Sequence, residues 1–184
     1  MVTIFTIPKA FNGHIGTTQW NAVNSWMKLG QECQVVLCGD DPGVAETARE
    51  VGADYIPDID RNEFGTPLLS SAFKKTSKIA RHRLLCFVNA DIILFNDFMD
   101  GLKKITLSHF LAVGQRWDMD VTRRIDFKDE RWDARLRDAV EDRGKLHGAY
   151  GSDYFVFPKT SKLLDIPPFA VGRPGWDCWF IYRA

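Results

Sequence analysis

The stretch Leu84–Phe95 reads Leu-Leu-Cys-Phe-Val-Asn-Ala-Asp-Ile-Ile-Leu-Phe, and the interpretation of the whole chain starts from it. Five apolar residues precede Asn89 and four follow Asp91. A short apolar run of this kind predicts a buried strand over Leu84–Asn89. Burial of an ionised carboxylate without a partner is costly. We therefore expect Asp91 to meet a cation, to meet hydrogen-bond donors or to emerge at the end of the strand.

Other short apolar runs alternate with segments of helical period along the chain. Further strands are predicted at Thr3–Ile7, Gln34–Cys38, Ala53–Ile56, Phe110–Gly114 and Tyr154–Phe157. Helices are predicted from Thr17 or Thr18 to Leu29, over Val44–Val51, from Pro67 to Arg83, from Asn96 or Asp97, over Asp129–Arg143 and over Trp176–Tyr182. This alternation indicates a single α/β domain with a mostly parallel central sheet covered by helices on both faces. In such sheets ligands bind beyond the carboxyl ends of the strands.

The composition of the chain argues against some classes of protein function. The chain has 184 residues, with 24 Lys and Arg against 24 Asp and Glu, so its formal net charge is zero. This balance argues against a dedicated nucleic-acid binder, which would carry a basic excess. The sequence shows neither a signal peptide nor an apolar run of the ~20 residues that a membrane-spanning helix needs. The four cysteines lack metal-ligand spacing, and we expect Cys86 to be a buried, reduced thiol in a soluble, cytoplasmic protein.

Asn89 and Asp91 are the first candidates for chemistry. They are two residues apart, so on an extended chain their side chains would point to the same side. Two oxygen-bearing groups directed at one point suit a hard divalent ion that phosphate oxygens also hold. The alternative is structural: Asp91 caps the following turn or pairs with an arginine.

Two further segments follow predicted strands. Asp40 and Asp41 could accept hydrogen bonds from a ribose or a base, or they could simply form a tight turn. The loop Asn62–Leu68 places backbone amides and Thr66 near a helix start, which favours anionic groups. The sequence has no phosphate-binding glycine loop of the two standard types, so those nucleotide-binding folds lose support.

The last third of the chain contributes polar and aromatic candidates. Gln115, Arg116 and Trp117 combine an amide, a cation and an indole, a set that suits a sugar ring, although Trp117 could equally belong to the core. Asp153 and Asp177 each lie near glycine and could act as general bases on an acceptor hydroxyl. The structural alternative for Asp177 is the cap or first turn of the last helix.

The order of these segments resembles a nucleotide-sugar glycosyltransferase of the GT-A type. Val88–Leu94 resembles the aspartate-any-aspartate motif of that family, with Asn89 in place of the first aspartate. The other matching segments are Thr3–Pro8, Gly39–Asp41, Asn62–Leu68, Gly151–Phe157 and Arg173–Ile181, so the resemblance covers nearly the whole chain.

The resemblance implies a metal-assisted transfer of sugar from a nucleotide diphosphate, most simply a UDP-sugar, to a hydroxyl acceptor. It implies that Asp91 binds Mn²⁺ or Mg²⁺. It assigns donor binding to Pro8, Phe11, Asp40, Asp41, Thr66 and Asn89. It assigns acceptor binding to Gln115, Arg116, Trp117 and Trp176, and catalysis to Asp153 and Asp177.

The resemblance also implies that the two parts of the single domain have different roles. Residues 1–114 would bind the nucleotide, residues 115–184 would carry the acceptor and catalytic groups, and more chain would be expected after the last helix. Two alternatives remain open, a sugar nucleotidyltransferase and a non-catalytic nucleotide- or carbohydrate-binding domain. The nucleotidyltransferase would be expected to show a glycine-rich, basic loop after the first strand, where this chain has one lysine, Lys9, before Gly13.

Overall fold

The computed structural model describes residues 1–184 and contains eight strands and six α-helices. The strands are β1 (Val2–Thr6), β2 (Cys33–Cys38), β3 (Asp54–Ile56), β4 (Leu84–Val88), β5 (Ala112–Gly114), β6 (Trp117–Asp118), β7 (Lys145–Leu146) and β8 (Tyr154–Pro158). The helices are α1 (Gly13–Met27), α2 (Val44–Val51), α3 (Leu69–Ile79), α4 (Asn96–Lys103), α5 (Trp132–Arg143) and α6 (Trp176–Arg183). No helix is both long enough and apolar enough to cross a lipid bilayer.

The central sheet has six strands in the order β3-β2-β1-β4-β8-β5. Strands β3, β2, β1 and β4 run parallel, as the alternation of strands and helices predicts. Strand β8 is antiparallel to both of its neighbours, β4 and β5. Its start therefore lies beside the end of β4, and this reversal brings a late part of the chain to the carboxyl edge of the parallel strands.

The core has two layers because successive residues of a strand point to opposite faces. On one face, Leu84, Cys86 and Val88 of β4 pack with α1, α2 and α4. On the other face, Leu85 and Phe87 pack with α3, α6 and the 3₁₀ turn Lys162–Leu164. The predicted sheet with helices on both faces is confirmed.

The predicted starts of two helices, α1 and α3, are wrong, whereas α2, α4 and α6 begin at predicted residues. Helix α1 begins at Gly13, and the hydroxyls of Thr17 and Thr18 donate to carbonyls of the preceding turn rather than capping the helix. Helix α3 begins at Leu69, because Pro67 forms an isolated bridge with Arg61. Side-chain oxygens compete for nearby backbone groups in several conformations, so their position alone does not fix a helix start.

A two-stranded ribbon formed by β6 and β7, which no sequence pattern predicts, lies outside the main sheet. Trp117 pairs with Leu146 and Asp118 pairs with Lys145. Backbone contacts continue past the paired residues, since the His147 amide donates to the Arg116 carbonyl at 2.9 Å. The ribbon thus fixes residues 116–118 against residues 145–147.

The four thiols are free, and their environments predict unequal reactivity. Cys38 and Cys86 are fully buried, and burial raises the pKa of Cys38 and of Cys33 to about 12. Cys178 is exposed on α6. We expect a disulfide reagent at pH 8 to label one thiol quickly in the native protein and four after unfolding, because the thiolate is the reacting form.

Mass spectrometry of the labelled protein checks this expectation. Replacement Cys178→Ser should remove the fast reaction and leave the three slow thiols. Rapid labelling of Cys38 or Cys86 in the native protein would contradict the packing of β2 or β4.

Candidate functional site

The carboxyl edge of β4 meets the start of β8, and two predicted site residues lie side by side there. The β4–β8 register pairs Val88 with Tyr154, so the next residues, Asn89 and Asp153, continue the pairing. The Asn89 amide donates to the Asp153 carbonyl at 2.9 Å, and the Asn89 Nδ2 donates to Asp153 Oδ1 at 2.9 Å. Asn89 is thus hydrogen-bonded to Asp153 through both its backbone and its side chain, and its Nδ2 already has a partner within the protein.

The Asp153 carboxylate forms an ion pair with Arg116. Arg116 follows β5, the other neighbour of β8, and its Nη1 donates to Asp153 Oδ2 at 2.7 Å and Oδ1 at 2.9 Å. Asp153 is 5% exposed, so its charge is offset mainly by this guanidinium. A carboxylate held by an arginine and an amide is suited to orienting its partners, and protonating it would break the ion pair.

The ribbon presents three side chains of the network on one face. Arg116 and Asp118 are two residues apart, and His147 lies opposite Arg116 across the ribbon, so the three share a face. Arg116 Nε donates to Asp118 Oδ1 at 2.7 Å, and His147 Nδ1 lies 2.7 Å from Asp118 Oδ2. Hydrogen bonds from His147 and Arg116 lower the pKa of Asp118, which is therefore ionised at neutral pH.

The pKa of Arg116 reflects two opposing effects. Burial lowers it, but the hydrogen bonds to Asp118 and Asp153 outweigh burial and raise the pKa above its ordinary value. Arg116 is thus a permanently charged residue already shared between two carboxylates.

A cavity of about 610 Å³ opens beside this network. Its lining includes Gln115, Arg116, Trp117 and Asp153, together with Asp91, so the structure brings five predicted site residues together. Further walls come from the start of α1, from the segment 92–98 and from α5. The cavity therefore lies at the carboxyl edge of the sheet, where α/β folds bind their ligands.

Asp91 and Asn89 do not act as a side-by-side pair. Strand β4 ends at Val88, and Asn89 to Asp91 form a turn in which the Ile92 amide donates to the Asn89 carbonyl at 3.2 Å. The prediction that both side chains point to one side on an extended chain is therefore wrong. Asp91 emerges from the strand end, is exposed and makes no hydrogen bond or ion pair.

The residues present fit a divalent cation that arrives with phosphate. No group of three or more His, Cys, Asp or Glu side chains is arranged to hold a metal ion by itself. Mg²⁺ is commonly held by one or two carboxylates together with substrate phosphates, keeping several waters. Asp91 is unpaired and lines the cavity, so it can supply the single carboxylate that such a site needs.

The predicted nucleoside contacts lie outside this cavity, near the ends of β1 and β2. Asp40 forms an ion pair with Arg61 at 2.5 Å, and Asp41 lies 3.4 Å from the same guanidinium. The hydrogen bond from Arg61 lowers the pKa of Asp40. Phe11 is held against the β2–α2 loop, since its amide donates to the Pro42 carbonyl at 2.9 Å.

The loop before α3 uses its amides internally. Asn62 Oδ1 accepts hydrogen bonds from the amides of Phe64, at 3.1 Å, and Thr66, at 2.9 Å. The Thr66 amide is therefore not available to an anion. Pro8 is buried at the end of β1.

Two other predicted residues lie away from the cavity. Trp176 is 8% exposed and packs edge-on against Phe87, with ring centroids 5.3 Å apart, in the core that faces α3. Asp177 Oδ1 accepts a hydrogen bond from the Cys178 amide at 2.9 Å in the first turn of α6. The structure therefore does not bring Trp176 or Asp177 together with Asp153.

Two residues of the network were not among the predicted site residues. Asp118 directly follows the Gln115–Trp117 segment, and His147 lies next to Gly148. Their pairing depends on the β6–β7 ribbon, whose two-residue strands are too short to produce a periodic pattern. The available signal was the combination of His147 with a nearby glycine-rich turn.

Comparison with known proteins identifies the fold. No family model and no curated protein matches the sequence. A structure described as a nucleotide-diphospho-sugar transferase from Desulfovibrio desulfuricans is similar, with a TM-score of 0.55, 10% identity, and coverage of 99% of this chain and 74% of that one. Glucosyl-3-phosphoglycerate synthase from Mycobacterium tuberculosis, solved with Mg²⁺ and UDP, has a TM-score of 0.50, 14% identity, and coverage of 96% and 60%.

A third structure, the bifunctional IspDF of Campylobacter jejuni, has a TM-score of 0.52 at 7% identity. This chain is covered completely and spans about half, 47%, of the Campylobacter protein. The chain therefore shares its α/β fold with these three structures. At these identities the likeness establishes the fold alone.

Proposed function

We propose that the protein is a glycosyltransferase that moves a sugar from a nucleotide-diphosphate donor to a hydroxyl acceptor with the help of a divalent cation. The observation that carries the proposal is Asp91, an exposed and unpaired carboxylate that directly follows a buried strand and lines the cavity at the carboxyl edge. The fold supports it, because the mycobacterial neighbour was solved with Mg²⁺ and UDP.

The charges around the cavity explain the need for a cation. Four aspartates and one arginine line it, and the arginine is already paired with two of those aspartates. A diphosphate would be repelled from such a surface unless a cation accompanied it. A divalent ion held by Asp91, Mn²⁺ or Mg²⁺, would stabilise the charge that develops on the leaving diphosphate.

The transfer itself makes one bond and breaks another. The acceptor oxygen bonds to the anomeric carbon of the sugar as the bond between that carbon and the diphosphate oxygen breaks. In this proposal the acceptor proton passes to the Asp118–His147 pair, in which Asp118 lines the cavity and lies 2.7 Å from His147 Nδ1. Asp153 orients Arg116, and Gln115 and Trp117 contact the acceptor or the sugar.

The nucleoside in this proposal lies over the ends of β1 and β2, near Pro8, Phe11 and Thr66. Asp40 becomes available to it when the exposed ion pair with Arg61 opens, which costs little because surface pairs are weak. A donor is most simply a UDP-sugar, as the resemblance implies.

Binding of a nucleoside diphosphate together with Mn²⁺ is expected to raise the melting temperature. At a concentration ten times the dissociation constant, binding adds about 1.4 kcal/mol, or roughly 3–6 °C for a domain of this size. Differential scanning fluorimetry with UDP or GDP, each with Mn²⁺ or with a chelator, measures this shift. No shift with any nucleotide and metal would contradict the proposal.

A hydrolysis screen separates the alternatives. A glycosyltransferase should slowly release the nucleotide from a UDP-, GDP- or CMP-linked sugar. A nucleotidyltransferase should instead release pyrophosphate from a nucleoside triphosphate and a sugar phosphate, and a binding domain should release neither. The loop after β1 does not favour the nucleotidyltransferase, because the Phe11 and Asn12 amides are bonded to Pro42 and Ala10 carbonyls.

A further inference from the structure

Helix α5 has an apolar side that does not enter the core. Trp132, Leu136 and Val140 recur every four residues, yet no residue of the helix is buried. Leu136 and Val140 instead line the cavity. Trp132 stacks on Phe95, with ring centroids 5.7 Å apart and planes 13° apart, which fixes the helix against the segment that follows β4.

The cavity consequently has an apolar wall and a polar end. Twelve of the 22 lining residues are hydrophobic, and the wall comes from α5, from the segment 92–95 and from Met119 and Val121. The polar end is defined by Asp91, Asp153 and the ribbon face that carries Arg116, and polar side chains of α1 also line the cavity. A molecule that reaches the carboxylates from within the cavity lies against the apolar wall.

Charge restricts that molecule further. Asp91 is unpaired, and Asp97 lies 3.2 Å from Arg137, which does not line the cavity. Arg116 is shared between Asp153 and Asp118. The one arginine of the lining, which has no lysine, is thus already paired, and the four lining aspartates would repel a phosphate or carboxylate on the acceptor.

We propose that the acceptor is an uncharged alcohol with an apolar body, alkyl or aryl, that packs against Leu136 and Val140 while its hydroxyl group lies at the polar end. The role of the hydroxyl rests on the proposed glycosyl transfer. The binding of the apolar body does not need the donor and can be measured without it.

Isothermal titration calorimetry with methyl, butyl and octyl glucosides, below their micellar concentrations, measures whether the apolar wall binds an alkyl chain. Each added methylene should tighten binding about three- to fourfold until the wall is covered. Phenyl and hexyl glucosides, which carry equal numbers of carbons, distinguish an aryl from an alkyl body. Affinity that is independent of chain length, or tighter binding of butyl phosphate than of butyl glucoside, would overturn the proposal.

Variants on α5 provide the matched comparison. Leu136→Asp should abolish the dependence on chain length, and Leu136→Ala should weaken octyl glucoside several-fold. Ala134→Asp, on the side of the helix away from the cavity, should bind like the wild type. All three should keep the wild-type melting temperature, because α5 has no buried residue.

Failure of the acceptor proposal and failure of the proposed glycosyl transfer would give different experimental results. Unchanged binding of octyl glucoside by Leu136→Asp would place the alcohol elsewhere and refute this inference, whatever the nucleotide experiments show. Chain-length-dependent binding without any nucleotide-induced melting shift would refute glycosyl transfer and leave the apolar wall established as a binding site for such alcohols.

Discussion

Replacing Arg116 by alanine is expected to lower the free energy of unfolding by about 2–3 kcal/mol and to abolish the proposed sugar transfer. The substitution leaves the Asp153 carboxylate buried with a single side-chain donor, Asn89. Removing one partner of a fully buried ion pair costs about 3–5 kcal/mol. The Arg116 side chain is 32% exposed, so water can replace part of the interaction and the lower figure applies. Urea denaturation followed by circular dichroism measures the loss.

A surface ion pair supplies the control. Arg137 pairs with Asp97 at 3.2 Å, with side-chain exposures of 41% and 66%, so Arg137→Ala should cost less than about 1 kcal/mol. Combining Arg116→Ala with Asp153→Asn should recover part of the stability, because the buried charge is gone, and should not recover transfer. Equal losses for Arg116→Ala and Arg137→Ala would show that the Asp153 pair is not buried in solution.

Replacing Asp91 by asparagine is expected to reduce kcat/KM for donor turnover by about 100-fold or more while leaving the protein as stable as the wild type. A divalent cation stabilises transition-state charge by several kcal/mol, and Asp91 is the carboxylate proposed to hold it. The side chain is exposed and makes no hydrogen bond or ion pair, so folding should not depend on it. The Mn²⁺-dependent shift in melting temperature with nucleoside diphosphate should disappear together with turnover.

Asp97→Asn is the matched control, since Asp97 also lines the cavity and is also exposed. It should retain both turnover and the metal-dependent shift to within a few-fold. If Asp91→Asn kept the shift and Asp97→Asn lost it, the metal would have to be assigned to the start of α4.

The main features of the fold could be predicted because buried strands carry their signal locally. Leu84–Val88 is apolar throughout and flanked by polar residues, so its extent was predicted to within one residue. The direction of a strand has no such signal, because five apolar residues look the same in a parallel and an antiparallel strand. The reversal of β8, which positions Asp153, was therefore not predictable from the run Tyr154–Phe157.

The site was predicted as a set of separate residues and not as a network. Asn89 and Asp153 are 64 residues apart in sequence, and Arg116 and Asp153 are 37 apart, so their contacts follow from sheet order alone. The sequence correctly indicated that a carboxylate after an apolar strand needs an explanation. It could not indicate that Asp153 would find an arginine while Asp91 remained free.

The position of β8 between β4 and β5 also determines the order in which the protein can fold during synthesis. Strand β5 pairs with no strand except β8, so it has no partner in the sheet until Tyr154–Pro158 has left the ribosome. Until then one edge of β4 also remains open, and pairings between distant segments form slowly. The last strand to enter the sheet is the one that carries Asp153 to Asn89. A nascent chain that stops short of β8 therefore lacks both the strand that joins β4 to β5 and the ion pair between Arg116 and Asp153.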